Sequence, residues 1–234
     1  MVVSLYDFTG EALKPWAEAG FECYAFDIQH DDTRADLYDG GGSISYRNAD
    51  LHKPESLDLI NQSYGDRVCF MMAFPVCTDL AVSGASWFKL KAERDPDFQI
   101  KATRYAKYCA ALGDKMSVPY FIENPVSRLA TLWRKPDFVF HPYHYGGYIP
   151  ADQALHPLWP QYIAPRDAYK KKTCLWAGGG FKMPEFKQVD PEAYHGNGYS
   201  TAMMKLGGKS MRTKNIRSAT PRGFARAVCE KNKG

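Results

Sequence analysis

No run in this 234-residue sequence is long and apolar enough to span a bilayer. The opening residues, Met1 to Asp7, have neither the basic start nor the apolar core of an export signal, so a cytoplasmic protein with no membrane partner is expected. No Cys-x-x-Cys pair occurs among Cys23, Cys69, Cys77, Cys109, Cys174 and Cys229, which argues against a zinc ribbon. Without an export signal a disulfide framework is not expected either, and most of these cysteines read as small buried hydrophobes. Gly-x-Gly-x-x-Gly is absent, and with it the usual cradle for phosphates. There is no internal repeat and no low-complexity linker. Acid is scarce near the C-terminus: Lys205, Lys209, Arg212, Lys214, Arg217, Arg222, Arg226, Lys231 and Lys233 face only Glu230. With Lys170, Lys171 and Lys172 they make a basic surface that suits a polyanion and equally suits a solvated tail.

What is present is ordinary for a globular chain. Hydrophobic residues make up 45% and charged residues 24%, which excludes a fibrous or mostly disordered protein. Val2–Asp7 reads as a strand running into a turn, 11–19 as a short helix ended by Gly20, and 22–28 as a second strand. That strand–helix–strand unit is what a parallel sheet needs. Ile44–Tyr46 is a candidate strand, 54–63 a helix opened by proline, and 67–74 a strand buried on both faces. Phe98, Ala102, Tyr105, Cys109 and Leu112 have helical spacing, and Gly113 is expected to close that helix. Further strands are expected at 118–123 and 173–177, an ordered loop region at 138–166, irregular polar chain at 182–216 and a closing helix at 219–230.

Polar residues punctuate the C-terminal ends of these strands, where ligands bind in open α/β sheets. Asp7-Phe8-Thr9-Gly10, followed by Asp27 about twenty positions on, suits a nucleoside without phosphate and equally an ordinary βαβ turn. Cys77, in Pro75-Val76-Cys77-Thr78, is a candidate nucleophile or a structural thiol. Glu123-Asn124-Pro125 ends a buried strand. A carboxylate there is costly unless paired or used, and a helix-capping network near Ser127 is the plainer alternative. His141 and His144 are three apart, but no cysteine or acid cluster accompanies them. Aromatic loop packing is preferred, and no metal is expected. Trp87, Trp133, Trp159 and Trp176 read as core or loop anchors.

Taken in order, these segments resemble the DNA cytosine-5 methyltransferases. Val3 to Gly10 and Trp16 to Asp27, with Ala19-Gly20-Phe21-Glu22, are similar to that family's opening motif. Pro75-Val76-Cys77 is similar to its Pro-Cys motif, and Glu123-Asn124-Pro125 to its Glu-Asn-Val motif. The segment from Arg217 to Arg226 is similar to its Arg-x-Leu-Thr-x-Arg-Glu-x-Ala-Arg run. A valine separates proline from cysteine, Tyr169–Thr173 stands where Gln-x-Arg-x-Arg is expected, and no Gly-Asn-x-Val motif follows Arg226. The pattern is similar to the compact members in bacteriophage genomes, which would put the protein in the host cytoplasm.

The resemblance implies a Rossmann-like α/β methyltransferase fold, its mostly parallel central sheet flanked by helices. It implies a catalytic and cofactor-binding domain over 1–180, a reduced recognition segment over 181–216, and a basic helix over 217–234 that packs back on the catalytic domain. S-adenosylmethionine is the implied cofactor, held by Asp7, Phe8, Thr9, Gly10, Asp27, Ile28, Asp50, Leu51 and Pro75. Cys77 would attack cytosine, Glu123 would hold its ring, and Lys170 or Lys172 would assist at the carbonyl oxygen. DNA would meet Ser83, Arg128, Lys171, Arg217, Arg222 and Arg226, with a monomer favoured. The implied reaction is methyl transfer to carbon 5 of cytosine in DNA through a covalent cysteine adduct. The alternatives are the same scaffold acting on RNA, free cytosine nucleotides or a modified pyrimidine, and an inactive nucleic-acid-binding module.

Overall fold

A computed structural model of the chain describes residues 1–192, 206–207 and 210–234. They form two compact units, Met1–Val139 with Thr173–Phe181, and Phe140–Lys172 with Lys182–Gly234. Residues 140–172 thus group with the C-terminal part of the chain, where the sequence places them with residues 1–180. Lys205, Lys209 and much of the expected 181–216 segment lie outside the described residues.

The first unit is built on a sheet of eight strands: β1 Val2–Leu5, β2 Glu22–Asp27, β3 Ala35–Leu37, β4 Ser43–Asn48, β5 Phe70–Ala73, β6 Tyr120–Pro125, β7 Phe138–Phe140 and β8 Thr173–Gly178. Their order is β3-β4-β2-β1-β5-β6-β8-β7. Strand β1 runs parallel to β2 and β5, β2 to β4, and β5 to β6. Strands β3 and β8 run antiparallel to β4 and β6. The sheet is therefore mixed but mostly parallel. From β1 the chain works outward to β4 and then returns to β5 on the other side of β1, so the order reverses between β1 and β5.

Alternation along the central strands covers both faces, as the continuous apolar runs require. Val3, Leu5, Met71, Ala73, Tyr120 and Ile122 share one cluster with Leu57 and Ile60 of α2 (Pro54–Tyr64) and with Ala102, Ala106 and Cys109 of α4 (Phe98–Met116). The alternate residues pack differently. Phe70 meets Trp16 of α1 (Lys14–Glu18) with ring centroids 4.8 Å apart, and Phe121 meets Phe181 at 5.5 Å.

The helix read from Phe98 to Leu112 is present but does not stop at Gly113. It runs to Met116 and ends at Ser117, which takes a left-handed conformation (φ 56°). Gly113 serves packing instead, because a Cβ there would collide with the Tyr120 ring and approach Met71 Cε within 2.9 Å. Four elements escape the sequence pattern: β3, α3 (Phe88–Arg94), β7, which opens the expected loop region, and α6 (Met211–Ser218). Helix α6 occupies chain expected to be irregular. Ser210 starts it by accepting a hydrogen bond from the Thr213 N–H at 3.2 Å.

In the second unit the loop region forms short 3-10 turns at Pro142–Tyr148, Ala151–Gln153 and Pro165–Asp167. Helix α5 (Leu129–Leu132) belongs to the first unit and α7 (Arg222–Asn232) to the second. Helix α7 buries Phe224, which stacks on Phe140 with centroids 4.2 Å apart. The carboxylate of buried Asp167 accepts the Gly223 N–H at 2.9 Å. Among the described residues no helix is long and apolar enough to cross a membrane.

Candidate active site

Because β1, β2, β4, β5 and β6 are mutually parallel, their C-terminal ends share one edge of the sheet. Asp7, Asp27, Asp50, Pro75, Cys77 and Glu123 all fall at that edge. Beyond β1, Tyr6 takes a left-handed conformation (φ 58°), rare for a bulky side chain. Its hydroxyl donates to the Leu51 carbonyl at 2.7 Å, which ties the end of β1 to the Asp50–Leu51 turn, and burial pushes its phenol pKa up.

Asp7 is buried and organises the following turn. Its carboxylate accepts hydrogen bonds from Ser4 Oγ (2.8 Å), the Gly10 N–H (2.8 Å) and Thr9 Oγ1 (3.3 Å). Burial nevertheless prevails and pushes its pKa above the usual carboxylate range, with the three bonds opposing. Gly10 has φ +69°, and a Cβ on it would lie 2.6 Å from the Tyr46 hydroxyl oxygen. Phe8 is 36% exposed.

Asp27 closes β2. Its Oδ1 accepts from the Gln29 N–H at 2.9 Å and from Gln29 Nε2 at 3.1 Å. Ile28 beside it is exposed and Leu51 is buried. Asp50 pairs with exposed Lys53 at 3.3 Å and accepts the His52 N–H at 3.2 Å.

The two remaining segments are fastened to each other. Asn124 Nδ2 donates to the Pro75 carbonyl at 3.0 Å, the Val82 N–H to Val126 at 3.0 Å, and the Arg128 N–H to Leu80 at 2.9 Å. The Cys77 carbonyl accepts the N–H groups of Leu80 (2.9 Å) and Ala81 (2.8 Å), which turns the loop back. Half-buried Cys77 and half-buried Glu123 are thus on neighbouring, mutually braced segments, and Glu123 Oε1 is buried. The capping alternative for this strand end is not realised: α5 starts from Arg128 without a side-chain cap. Asn124→Ala is expected to destabilise the protein by about 1–2 kcal/mol, because it strips a buried carbonyl of its donor. Urea unfolding checks this, and an unchanged midpoint would contradict it.

Ser83 and Arg128 are exposed in the first unit. Trp176 is fully buried and donates from Nε1 to the Arg134 carbonyl at 2.7 Å, as an anchor should. Trp87 is not buried in the same way. It is 55% exposed, at the end of a 3-10 turn over Val82–Trp87.

Lys170, Lys171, Lys172, Arg217, Arg222 and Arg226 lie in the second unit. There Lys171 Nζ donates to the Arg217 carbonyl (2.9 Å), and the Arg217 guanidinium to Leu206 (2.5 Å). Arg222 donates to the carbonyls of Gln153 (3.1 Å) and Ala154 (3.0 Å), and Arg226 to Gln153 Oε1 (2.8 Å). These cations brace the unit itself. His141 meets His144 edge-on with ring centroids 5.5 Å apart, and His144 meets Phe186 at 4.5 Å. Among the described residues no three metal-ligating side chains are grouped to hold an ion.

Tyr6, His30 and Tyr46, which no sequence motif marks, build the walls of the Asp7 turn. Their placement comes from pairings between strands that one sequence does not display.

No family model and no curated protein matches the chain. Among solved structures, one from E. coli, assigned as a DNA modification methyltransferase encoded within a prophage, is 14% identical with a TM-score of 0.44. The match covers 81% of this chain and 51% of the other, so the chain spans about half the length of that protein.

Proposed function

We propose that this chain transfers a methyl group from S-adenosylmethionine to carbon 5 of cytosine in DNA, on a Rossmann-like scaffold, with Cys77 as nucleophile. One observation carries the reading: the Pro75–Cys77 loop is braced against the Glu123–Asn124 strand end at the ligand-binding edge of the sheet. The reversal of strand order between β1 and β5 supports the scaffold, since open α/β sheets bind ligands at such a point.

The residues fit the cofactor. Gly10 is a close-approach turn, Asp27 is an acidic side chain at the end of the second strand, and the sequence lacks a phosphate cradle. That donor and acceptor set suits a nucleoside whose 5′ substituent is not phosphate. S-adenosylmethionine supplies an electrophilic methyl group on a sulfonium centre. Asp27 would bind the ribose, Asp50 the adenine, and Phe8 would pack beside them.

Carbon 5 of cytosine is a poor nucleophile. Cys77 Sγ, as thiolate, forms a bond to carbon 6, and the ring becomes enamine-like and nucleophilic at carbon 5. Glu123 holds ring nitrogen 3 and the exocyclic amine, stabilising the charge that develops there. Carbon 5 would take the methyl group as the methyl–sulfonium bond breaks and S-adenosylhomocysteine leaves; the carbon-5 proton would then pass to water and the S–C6 bond break, which restores the thiolate. A target inside a duplex must first be flipped out.

DNA containing 5-fluorocytosine tests this, because fluorine cannot leave as a proton does. Incubation with S-adenosylmethionine is expected to give a denaturation-resistant adduct that peptide mapping places on Cys77. Duplex and single-stranded DNA that both fail to form an adduct, while the cofactor binds, would overturn the DNA reading in favour of RNA or free nucleotides.

A further inference from the structure

His30 lies on the turn that follows β2, and its backbone N–H donates to the Asp27 carbonyl at 3.3 Å. Its ring folds back over the end of β1, where Nε2 is 3.0 Å from the Asp7 carbonyl oxygen. That oxygen can only accept, so Nε2 donates, and in the neutral imidazole Nδ1 is left as an acceptor. Two aromatic rings hold the imidazole in place. Phe8 stacks on it with centroids 5.7 Å apart and planes 14° apart, and Tyr46 meets it edge-on at 5.1 Å. The residue is only 9% exposed, yet no described residue bonds Nδ1. Nδ1 is not sealed in, and a fixed acceptor of this kind, open at the edge of a nearly buried ring, can receive a ligand's hydroxyl.

Asp27, on the same turn, has one of its two carboxylate oxygens engaged. Both lone pairs of Oδ1 are taken, by the N–H and the side-chain amide of Gln29. Oδ2 remains. A ribose presents two adjacent hydroxyls, and each needs an acceptor. We infer that His30 Nδ1 and Asp27 Oδ2 divide the ribose diol of the adenine nucleoside between them, one hydroxyl each, which makes His30 a cofactor-specificity residue. The inference rests on the cofactor reading above and deepens it. Through the stack, His30 also fixes the exposed edge of Phe8 at the mouth of the same site.

Calorimetry tests this without turnover, using S-adenosylhomocysteine and its 2′-deoxy and 3′-deoxy ribose analogues as probes. In the unaltered protein, loss of the hydroxyl held by His30 is expected to weaken binding about tenfold. His30→Phe keeps a flat ring against Phe8 but has no acceptor. It is expected to bind the parent compound about tenfold more weakly and to lose less than about twofold more with that one analogue. The other analogue still loses affinity, because Asp27 holds the second hydroxyl. His30→Gln provides a second variant should His30→Phe not fold. Its amide mimics Nε2 and keeps the bond to Asp7, and it too should lose the discrimination. Equal losses in the unaltered protein and both variants would overturn the role of His30 and leave the cofactor reading standing. No binding of S-adenosylhomocysteine by the unaltered protein would overturn both.

Discussion

Replacing Cys77 with serine is expected to lower methyl transfer by about a thousandfold or more, on the order of 4 kcal/mol in the activation barrier. The hydroxyl is similar in size but much less acidic than a thiol, and a neutral alcohol adds poorly to carbon 6. The exchange leaves the main-chain bonds of the loop in place. The Cys77 carbonyl, not its sulfur, accepts from Leu80 and Ala81, and the Asn124 bond goes to Pro75. Cofactor affinity should therefore stay within about twofold of the unaltered value. Single-turnover transfer of a labelled methyl group, with calorimetry alongside, separates the two quantities. A variant that retains transfer within tenfold would remove the covalent mechanism, whatever its cofactor affinity.

Gly10→Ala is the second large effect expected, on both stability and cofactor binding. The backbone there has φ +69°, where any Cβ is strained. The new methyl group would also sit 2.6 Å from the Tyr46 hydroxyl oxygen and 3.0 Å from Cε1. Tyr46 is poorly placed to yield. Its hydroxyl donates to Asp36 at 2.7 Å, and the Arg34 guanidinium lies over its ring at 3.8 Å. Strain and overpacking together are expected to cost about 3 kcal/mol. The Asp7 turn must shift to relieve them, so affinity for S-adenosylhomocysteine should fall about tenfold or more. Adding Tyr46→Phe removes the nearest atom and should recover part of the loss. An alanine variant with unchanged unfolding midpoint and affinity would show that this turn is not the cofactor's seat.

Much of the first unit is legible in the sequence because its strands are apolar runs that stop at polar residues. Val2–Leu5 and Phe70–Ala73 are buried throughout, and Asp7 and Pro75 mark where they end. The same contrast made the strand-end acids and Cys77 visible. Strand β3 was hidden because it lies at the edge of the sheet, bonded only to β4, and shows no apolar alternation. Its Leu37 is 84% exposed. Helix α6 was hidden because only Thr213 and Ile216 are buried on it, too few for a periodic signal. His30 and Tyr46 were hidden for another reason. Each acts through a contact with a residue more than twenty positions away, Asp7 or Gly10, and no local pattern encodes such a meeting.

The brace between the Pro75–Cys77 loop and the end of β6 bears on how such a loop can drift over generations. Beside the Asn124 amide, ties run from one main chain to another, at Val82–Val126, Leu80–Arg128 and within Cys77–Ala81. Main-chain bonds ignore the identity of the side chain they carry. The loop can therefore exchange Val82, Val126 or Arg128 and keep these main-chain bonds. Selection can vary what surrounds the thiol without rebuilding the frame that presents it.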